Sequence, residues 1–416
     1  MKRFFSLMCA FVVALAVPSC RGGQAPLRIG AVYPMTGSQS AGGLDEFHGV
    51  QLAVDLVNQD GGVHGRPVEL VPVDTPASDA GPAAVDQLAG EGVRLLLGSY
   101  GSTISEAAGA EAAARGMLFW ETGAVGSMTG PGPGELFFRV APSGASLGRT
   151  AVTFIAQRLA PMLDASSATL RFAVTNVEDA YGTEVARGAV EEVRSLGLTL
   201  AGQFPYDLRH PDFPGLVKSI AASGANVVFV AAYLQDGIDM RREMVRQGLP
   251  LVAGIGTSSS YCMPEFGGTL GSDAVGLFAS DKPDAEYLNP GGLLPEARGV
   301  LDRVTVAWAS TYGDEEMSAP ALAGFAAAWA LLHDVLPRAA SFSPADAAAA
   351  ALAADVPEGG LPNGSGLRFG AAGSPDAGEN VMATSVIWEW VGVGKREVVW
   401  PPRFATHAIE PIHPLP

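Results

Sequence analysis

The chain has 416 residues, of which 48% are hydrophobic and 17% charged. At about 150 residues per domain this supplies two or three domains with real cores, and it excludes a wholly disordered chain. Lys plus Arg number 26 against 43 Asp plus Glu, a formal net charge of −17, so no basic surplus exists to neutralise the phosphates of a nucleic acid or of an anionic membrane surface.

The N-terminus reads as an address. Lys2 and Arg3 precede an apolar run from Phe4 to Val17, and Val17-Pro18-Ser19-Cys20 follows. This is the layout of a secretory signal peptide over residues 1–19. The run is too short to span a bilayer comfortably, and no later apolar run is expected to reach the ~20 residues a crossing needs. The placement of Cys20 resembles a bacterial lipobox cysteine. On that reading Cys20 is the lipid-modified first residue, residues 20–26 are a tether, and lipid is the only membrane attachment. Ordinary cleavage near the same point, giving a soluble exported protein, is the alternative. With Cys9 removed and Cys20 acylated, Cys262 is the sole thiol, so no internal disulfide forms. A buried, unreactive thiol is expected there.

Strand and helix patterns alternate from residue 27. Leu27–Tyr33 reads as a buried strand, Asp45–Asn58 as a helix with Val50, Ala53, Val54 and Val57 on one face, and Gly61-Gly62 as its stop. Strands are predicted over 68–73, 93–98 and 117–120, with helices over 80–88 and 105–115 between them. The pattern restarts after the apolar run 136–140. Helices over 147–159, 184–195, 216–222 and 238–247 alternate with strands over 170–174, 198–204, 227–231 and 251–255. Such alternation means parallel sheets covered on both faces, here in two successive α/β units. The last third reads as helices near 296–310, 322–336 and 344–354, then a hairpin-like pair over 381–391 and 397–400. An internal echo joins the units. Val93–Tyr100 and Asn226–Tyr233 both run from a hydrophobic strand through two small residues to a tyrosine, which lands at the carboxyl edge where open α/β sheets bind ligands.

Motifs for catalysis are sparse. Gly144-Ala145-Ser146-Leu147-Gly148 matches the nucleophile-elbow pattern, but no histidine stands in a recognisable triad setting, and small residues opening a helix account for the match equally. There is no P-loop and no zincin motif. The six histidines show no metal-ligand spacing. No catalytic residue, metal or cofactor is expected. Gly98-Ser99-Tyr100-Gly101-Ser102-Thr103 fits either a loop that lets a ligand approach the backbone or a plain helix cap.

With these pieces in order, the chain resembles the Leu/Ile/Val-binding protein family, the type I periplasmic substrate-binding proteins of ABC importers. The resemblance covers about 27–402. It rests on Ile29-Gly30 leading into Pro34-Met35-Thr36-Gly37, and on the turn Asn58-Gln59-Asp60-Gly61-Gly62-Val63-His64-Gly65. It continues through Gly98–Ser102, Arg139–Pro142, Asp179-Ala180-Tyr181-Gly182, Gly366–Phe369 and Val386–Trp390. The resemblance implies two Rossmann-like lobes joined by three crossings, near 139–142, 277–281 and 369–381. Lobe 1 would be 27–139 plus 282–370, and lobe 2 would be 142–278 plus 380–416. It implies a small-molecule ligand in the interlobe cleft, closure by hinge bending, a monomer, and delivery to an ABC permease. The ligand-binding residues it points to are Tyr100, Ser102, Thr103, Thr122, Gly123, Tyr181, Tyr233 and Thr257. In branched-chain binders an acid pairs the ligand ammonium near Gly256, but Gly256–Ser260 carries no charge; Asp179, Asp236 and Glu121 are the substitutes considered. The ligand is then a branched-chain or other amino acid, an amide or urea-like compound, or a small carboxylate. Trp120 is either part of an aromatic wall or core. A sensor of the same fold, or a serine hydrolase using Ser146, are the alternative functions.

Overall fold

Two parallel sheets of the same winding organise the chain. The computed structural model describes residues 24–127, 136–313, 316–374, 376–412 and 415; the leader, Cys20 and His413 lie outside them. Strands β1 (Leu27–Tyr33), β2 (Val68–Asp74), β3 (Leu95–Gly98), β4 (Leu118–Glu121) and β5 (Phe137–Arg139) alternate with helices α1 (Ser40–Gln59), α2 (Ala80–Gly90) and α3 (Ser102–Ala114). They form one all-parallel sheet in the order β2-β1-β3-β4-β5.

Helix α4 (Gly144–Phe154) widens into a π-helical turn and ends in the short α5 (Ala160–Met162). Then come β6 (Arg171–Val177), α6 (Ala180–Ser195), β7 (Thr199–Tyr206), α7 (Phe213–Ala222), β8 (Val227–Ala231), α8 (Leu234–Gln247), β9 (Ala253–Thr257), α9 (Pro264–Leu270) and β10 (Phe278–Asp281). The chain continues through α10 (Pro295–Tyr312), α11 (Ala319–Trp329) and α12 (Pro344–Leu352), and closes with the hairpin β11 (Val386–Gly392) and β12 (Lys395–Trp400). The second sheet runs β12-β11-β10-β9-β8-β6-β7, parallel except for the hairpin. Its parallel part repeats the first sheet's winding, and the sequence echo falls on equivalent strands, β3 and β8.

Two expectations change. Residues 278–281, read as a connection, form a strand between β9 and β11; four residues buried on both faces give no periodicity to read. The expectation of no membrane-length apolar run also fails by length and composition, because Ala319–Arg338 is a continuous 20-residue apolar helix. Its apolar window is 89% buried inside the protein, so it is a core helix, packed along α1.

Each lobe is clamped by one close helix pair. In α1 and α11, a Cβ at Gly49 would lie 2.0 Å from the Ala321 carbonyl oxygen, and one at Gly324 2.2 Å from that of Glu46. In α4 and α6, a Cβ at Gly148 would lie 2.2 Å from the Val185 carbonyl oxygen and one at Gly188 2.0 Å from that of Ala145. Backbone cannot retreat as a side chain does, so each glycine sets the spacing of its pair. The nucleophile-elbow match thus has a packing origin, since Gly144 and Gly148 both face α6. Gly188→Ala and Gly324→Ala should each cost about 1–3 kcal/mol of stability by overpacking, measured by urea denaturation; unchanged midpoints would refute the clamp.

Candidate functional site

In doubly wound sheets the helices leaving the carboxyl edge diverge at the point where strand order reverses, and a crevice opens there. In the first sheet that point lies between β1 and β3, and in the second between β6 and β8. The two crevices face each other and enclose a cavity of about 300 Å³, within the size range of small-molecule pockets.

The cavity is lined by the first turns of helices from both sides: Ala41 and Gly42 of α1, Ser102 of α3, Tyr181 of α6, Ala319 and Pro320 of α11, and Tyr233, the residue capping α8. Converging N-termini present backbone N–H groups and the positive ends of helix dipoles, which favours an anionic group. Ser102 is 7% exposed, and its hydroxyl accepts the Gly126 N–H at 2.9 Å, leaving its own proton to donate. Lys282 and Arg396 also line the cavity, as do Asp45, Asp281, Glu265 and Glu316. Val125, Met263 and the tyrosine rings supply an apolar wall.

The tyrosines are fixed by their hydroxyls. Tyr181 donates to the Ser258 carbonyl, Tyr233 donates to Asp179 at 2.7 Å, and their rings lie 5.3 Å apart. Tyr100, from the first lobe, lines the cavity together with Ser258 and Ser259 of the second. Burial pushes the Tyr100 and Tyr181 hydroxyls up, so both stay neutral.

Of the sequence-predicted residues, the structure gathers Tyr100, Ser102, Gly123, Tyr181 and Tyr233 on the cavity wall. Thr103, Thr122 and Thr257 do not line it. Thr103 is half-buried on α3. The Thr257 hydroxyl lies 3.4 Å from that of Ser258. Thr122 lies one layer deeper, with its hydroxyl 2.8 Å from that of Tyr33 and 2.6 Å from Glu46 Oε1. Trp120 is core: it is fully buried and donates to the Ala327 carbonyl at 2.9 Å. Ser146 sits in the first turn of α4, outside the cavity lining, and no hydrogen bond joins it to a histidine among the described residues. The substitutes considered for an ammonium partner are committed elsewhere. Asp179 caps α6 and holds Tyr233, Asp236 accepts from Tyr206 and from the Tyr233 N–H, and Glu121 accepts from Gly123 and Ala124.

Sequence reasoning missed Asp281, Lys282, Ser258 and Arg396. Lys282 donates to the Gly123 carbonyl at 2.9 Å from the far side of the cleft floor. Cys262, expected to be buried and inert, is 5% exposed and donates from Sγ to Asp281 at 2.8 Å. Burial and the neighbouring Asp281 push its thiol well up, which keeps it protonated and a poor nucleophile.

Behind Gly123 lie two buried carboxyls. A Cβ on Gly123 would be 1.9 Å from Glu46 Oε2, so any larger residue there would push the Glu46 carboxyl aside. Burial and the Glu121 charge raise Glu46 well above its ordinary value, and burial raises Glu121 to about 7. Both therefore hold a proton more tightly folded than unfolded. The stability associated with that proton is whole below the ordinary carboxyl value of 4.5 and is lost as pH rises, for Glu121 up to about 7. The melting temperature should fall from about pH 5 to about pH 8, and Glu46→Gln should flatten that fall while keeping the acceptor for Thr122. Equal slopes in scanning calorimetry would remove Glu46 from the pH dependence.

Comparison with known proteins bears on this arrangement. The family described as periplasmic binding protein matches residues 26–378. The chain is 27% identical over 392 residues to the Leu/Ile/Val-binding protein homolog 8 of Brucella suis, covering 94% of each. It is 25% identical over 395 residues to homolog 7 of Brucella abortus, covering 94% of this chain and 96% of that one. Among solved structures it is similar to the leucine-binding protein LivK of Thermotoga maritima, with a TM-score of 0.73 at 19% identity, covering 89% of this chain and 97% of that one. It is also similar to LivJ of Streptococcus pneumoniae in complex with isoleucine, with a TM-score of 0.68 at 20% identity, covering 90% of this chain and all of that one.

Proposed function

We propose that this chain, which belongs to the periplasmic binding protein family, captures a zwitterionic amino acid in its interlobe cleft and delivers it to an ABC permease. The observation that carries the reading is the lining of the cavity, in which helix N-termini and Lys282 favour an anion while carboxylates offer a place for a cation. A ligand bearing both charges answers that lining better than an amide, a urea or a simple carboxylate does. The apolar wall and the names of the relatives, Leu/Ile/Val-binding protein homologs, make branched-chain aliphatic side chains the first candidates.

In this reading Ser102, with the N–H groups of α3, receives the ligand carboxylate. Tyr181 and Tyr233 close over the ligand as the lobe built on the second sheet, β10 included, swings toward the lobe built on the first. Closure is what a permease would read, because a ligand touching both lobes binds only the closed form well. No bond is broken. Export over residues 1–19 and anchoring through lipid on Cys20 complete the proposal; Cys20→Ala should move the protein from the membrane fraction to the soluble fraction.

A bound ligand raises stability by RT ln(1 + [L]/Kd), about 2.7 kcal/mol at a hundredfold excess over Kd. Thermal-shift screening of the full chain should therefore give a rise in melting temperature with leucine, isoleucine or valine, and smaller or no shifts with acetamide, urea or acetate. Ser102→Ala combined with Tyr233→Ala should abolish the shift. No response to any amino acid would sink the reading, and full affinity in the double variant would place the site elsewhere.

A further inference from the structure

Strand β9 carries no acid at Gly256, and the packing leaves no room for one: a Cβ there would lie 2.2 Å from the Tyr261 ring. The neighbouring strand supplies what β9 lacks. β10 runs parallel to β9 with Ala279 beside Gly256 and Ser280 beside Thr257, so the next residue, Asp281, emerges at the edge of the cleft. Asp281 lines the cavity and is 2% exposed. Its Oδ2 accepts from Cys262 Sγ at 2.8 Å, and its Oδ1 has no hydrogen-bond partner among the described residues.

The nearby cations are engaged on other acceptors, Lys282 on the Gly123 carbonyl at 2.9 Å and Arg396 on Asp284 at 2.8 Å. The other acids of the lining differ from Asp281. Glu265 and Glu316 are exposed, and Asp45 is half-buried and accepts from Ser318 at 2.7 Å. A buried carboxylate oxygen calls for a donor, and Asp281 is among the residues that line the cavity. Two cavity tyrosines already register the charge, since Asp281 contributes to raising both the Tyr100 and the Tyr181 hydroxyls.

We propose that Asp281, at the end of β10, is the acceptor for the ammonium group of an amino-acid ligand. This rests on reading the cavity as an amino-acid site. The arrangement separates the ligand's two ends, with the carboxylate on α3 at Ser102 and the ammonium on β10 at Asp281. Because Asp281 stands on the stretch of chain that leads from the second sheet into α10, a ligand held this way draws a connecting segment into the closed state.

The test compares L-leucine with 4-methylpentanoate, the same skeleton without its amine, by calorimetric titration of the full chain and its Asp281→Asn variant. The parent should prefer leucine strongly. Asp281→Asn should lose about 30-fold or more of its leucine affinity, as expected when one member of a buried charge pair is removed. It should bind 4-methylpentanoate at least as well as the parent, which also shows that the variant is folded. Equal leucine affinity in parent and variant, or equal losses for both compounds, would overturn the role of Asp281 and leave the amino-acid reading standing. Failure of the parent to bind leucine, isoleucine or valine would overturn both.

Discussion

The structure depends on burying a cation where the chain passes between its two sheets. Arg139 ends β5 at the first crossing and is 1% exposed. A guanidinium has five donors and no way to shed its charge, so it can be buried only where acceptors surround it. Its donors reach the Val125 carbonyl at 3.4 Å, the Gly126 carbonyl at 2.5 Å and Glu379 at 3.2 Å. Its backbone N–H donates to Gly378, and its carbonyl accepts from Asn380. One residue thus ties together the first crossing, the third crossing and the loop that floors the cleft. Asn380 completes the knot. Its amide donates to the Val140 and Gly366 carbonyls and accepts the N–H groups of Arg368 and Met382, so its capacity is fully used.

The site follows from that loop. With the Val125 and Gly126 carbonyls held by Arg139, the Gly126 N–H is left to point at Ser102, and the Gly123 carbonyl is left for Lys282. Each end of the 123–126 turn is therefore gripped from a different element, the α3 N-terminus on one side and the second crossing on the other. A binding loop fixed in this way needs little reordering when a ligand arrives, and the entropy cost of capture falls accordingly. The lobes behind it are equally constrained, because the glycine contacts of α1 with α11 and of α4 with α6 fix helix spacing by backbone rather than by side chains.

Much of this was legible in the residues, and the division has physical causes. Long, regularly spaced apolar segments announced the alternation of strand and helix. The strand-to-tyrosine echo marks equivalent carboxyl edges at Tyr100 and Tyr233, while Ser102 and Tyr181 rest on the family resemblance. The failures lie where a few residues are buried on every side. All four residues of β4 are buried, as are all four of β10, so neither shows which face a side chain takes. Asp281 therefore reads as part of a connection, and Thr122, expected in the pocket from the family resemblance, stands a layer behind it. Glu46 was invisible for a related reason. A carboxyl within an apolar helical stripe reads as a surface residue until the fold puts the Gly123 loop against it.

The acidity of the chain teaches the same distinction between global and local charge. A net charge of −17 sits mostly on exposed side chains, where salt screens it over about 8–10 Å. It serves solubility and says nothing about the ligand. Inside the cleft screening weakens, and single groups decide. The donors there are the helix N-termini and Lys282, and the buried acceptor is Asp281. Because the dielectric is low for both, each end of a zwitterion gains more from its partner than it would in water, and a ligand lacking either charge leaves one of these groups uncompensated. On the proposed reading, selectivity for the amino-acid class arises from the cost of the unmet partner, which is charged against every ligand missing an end, and the apolar wall is left only the choice among side chains.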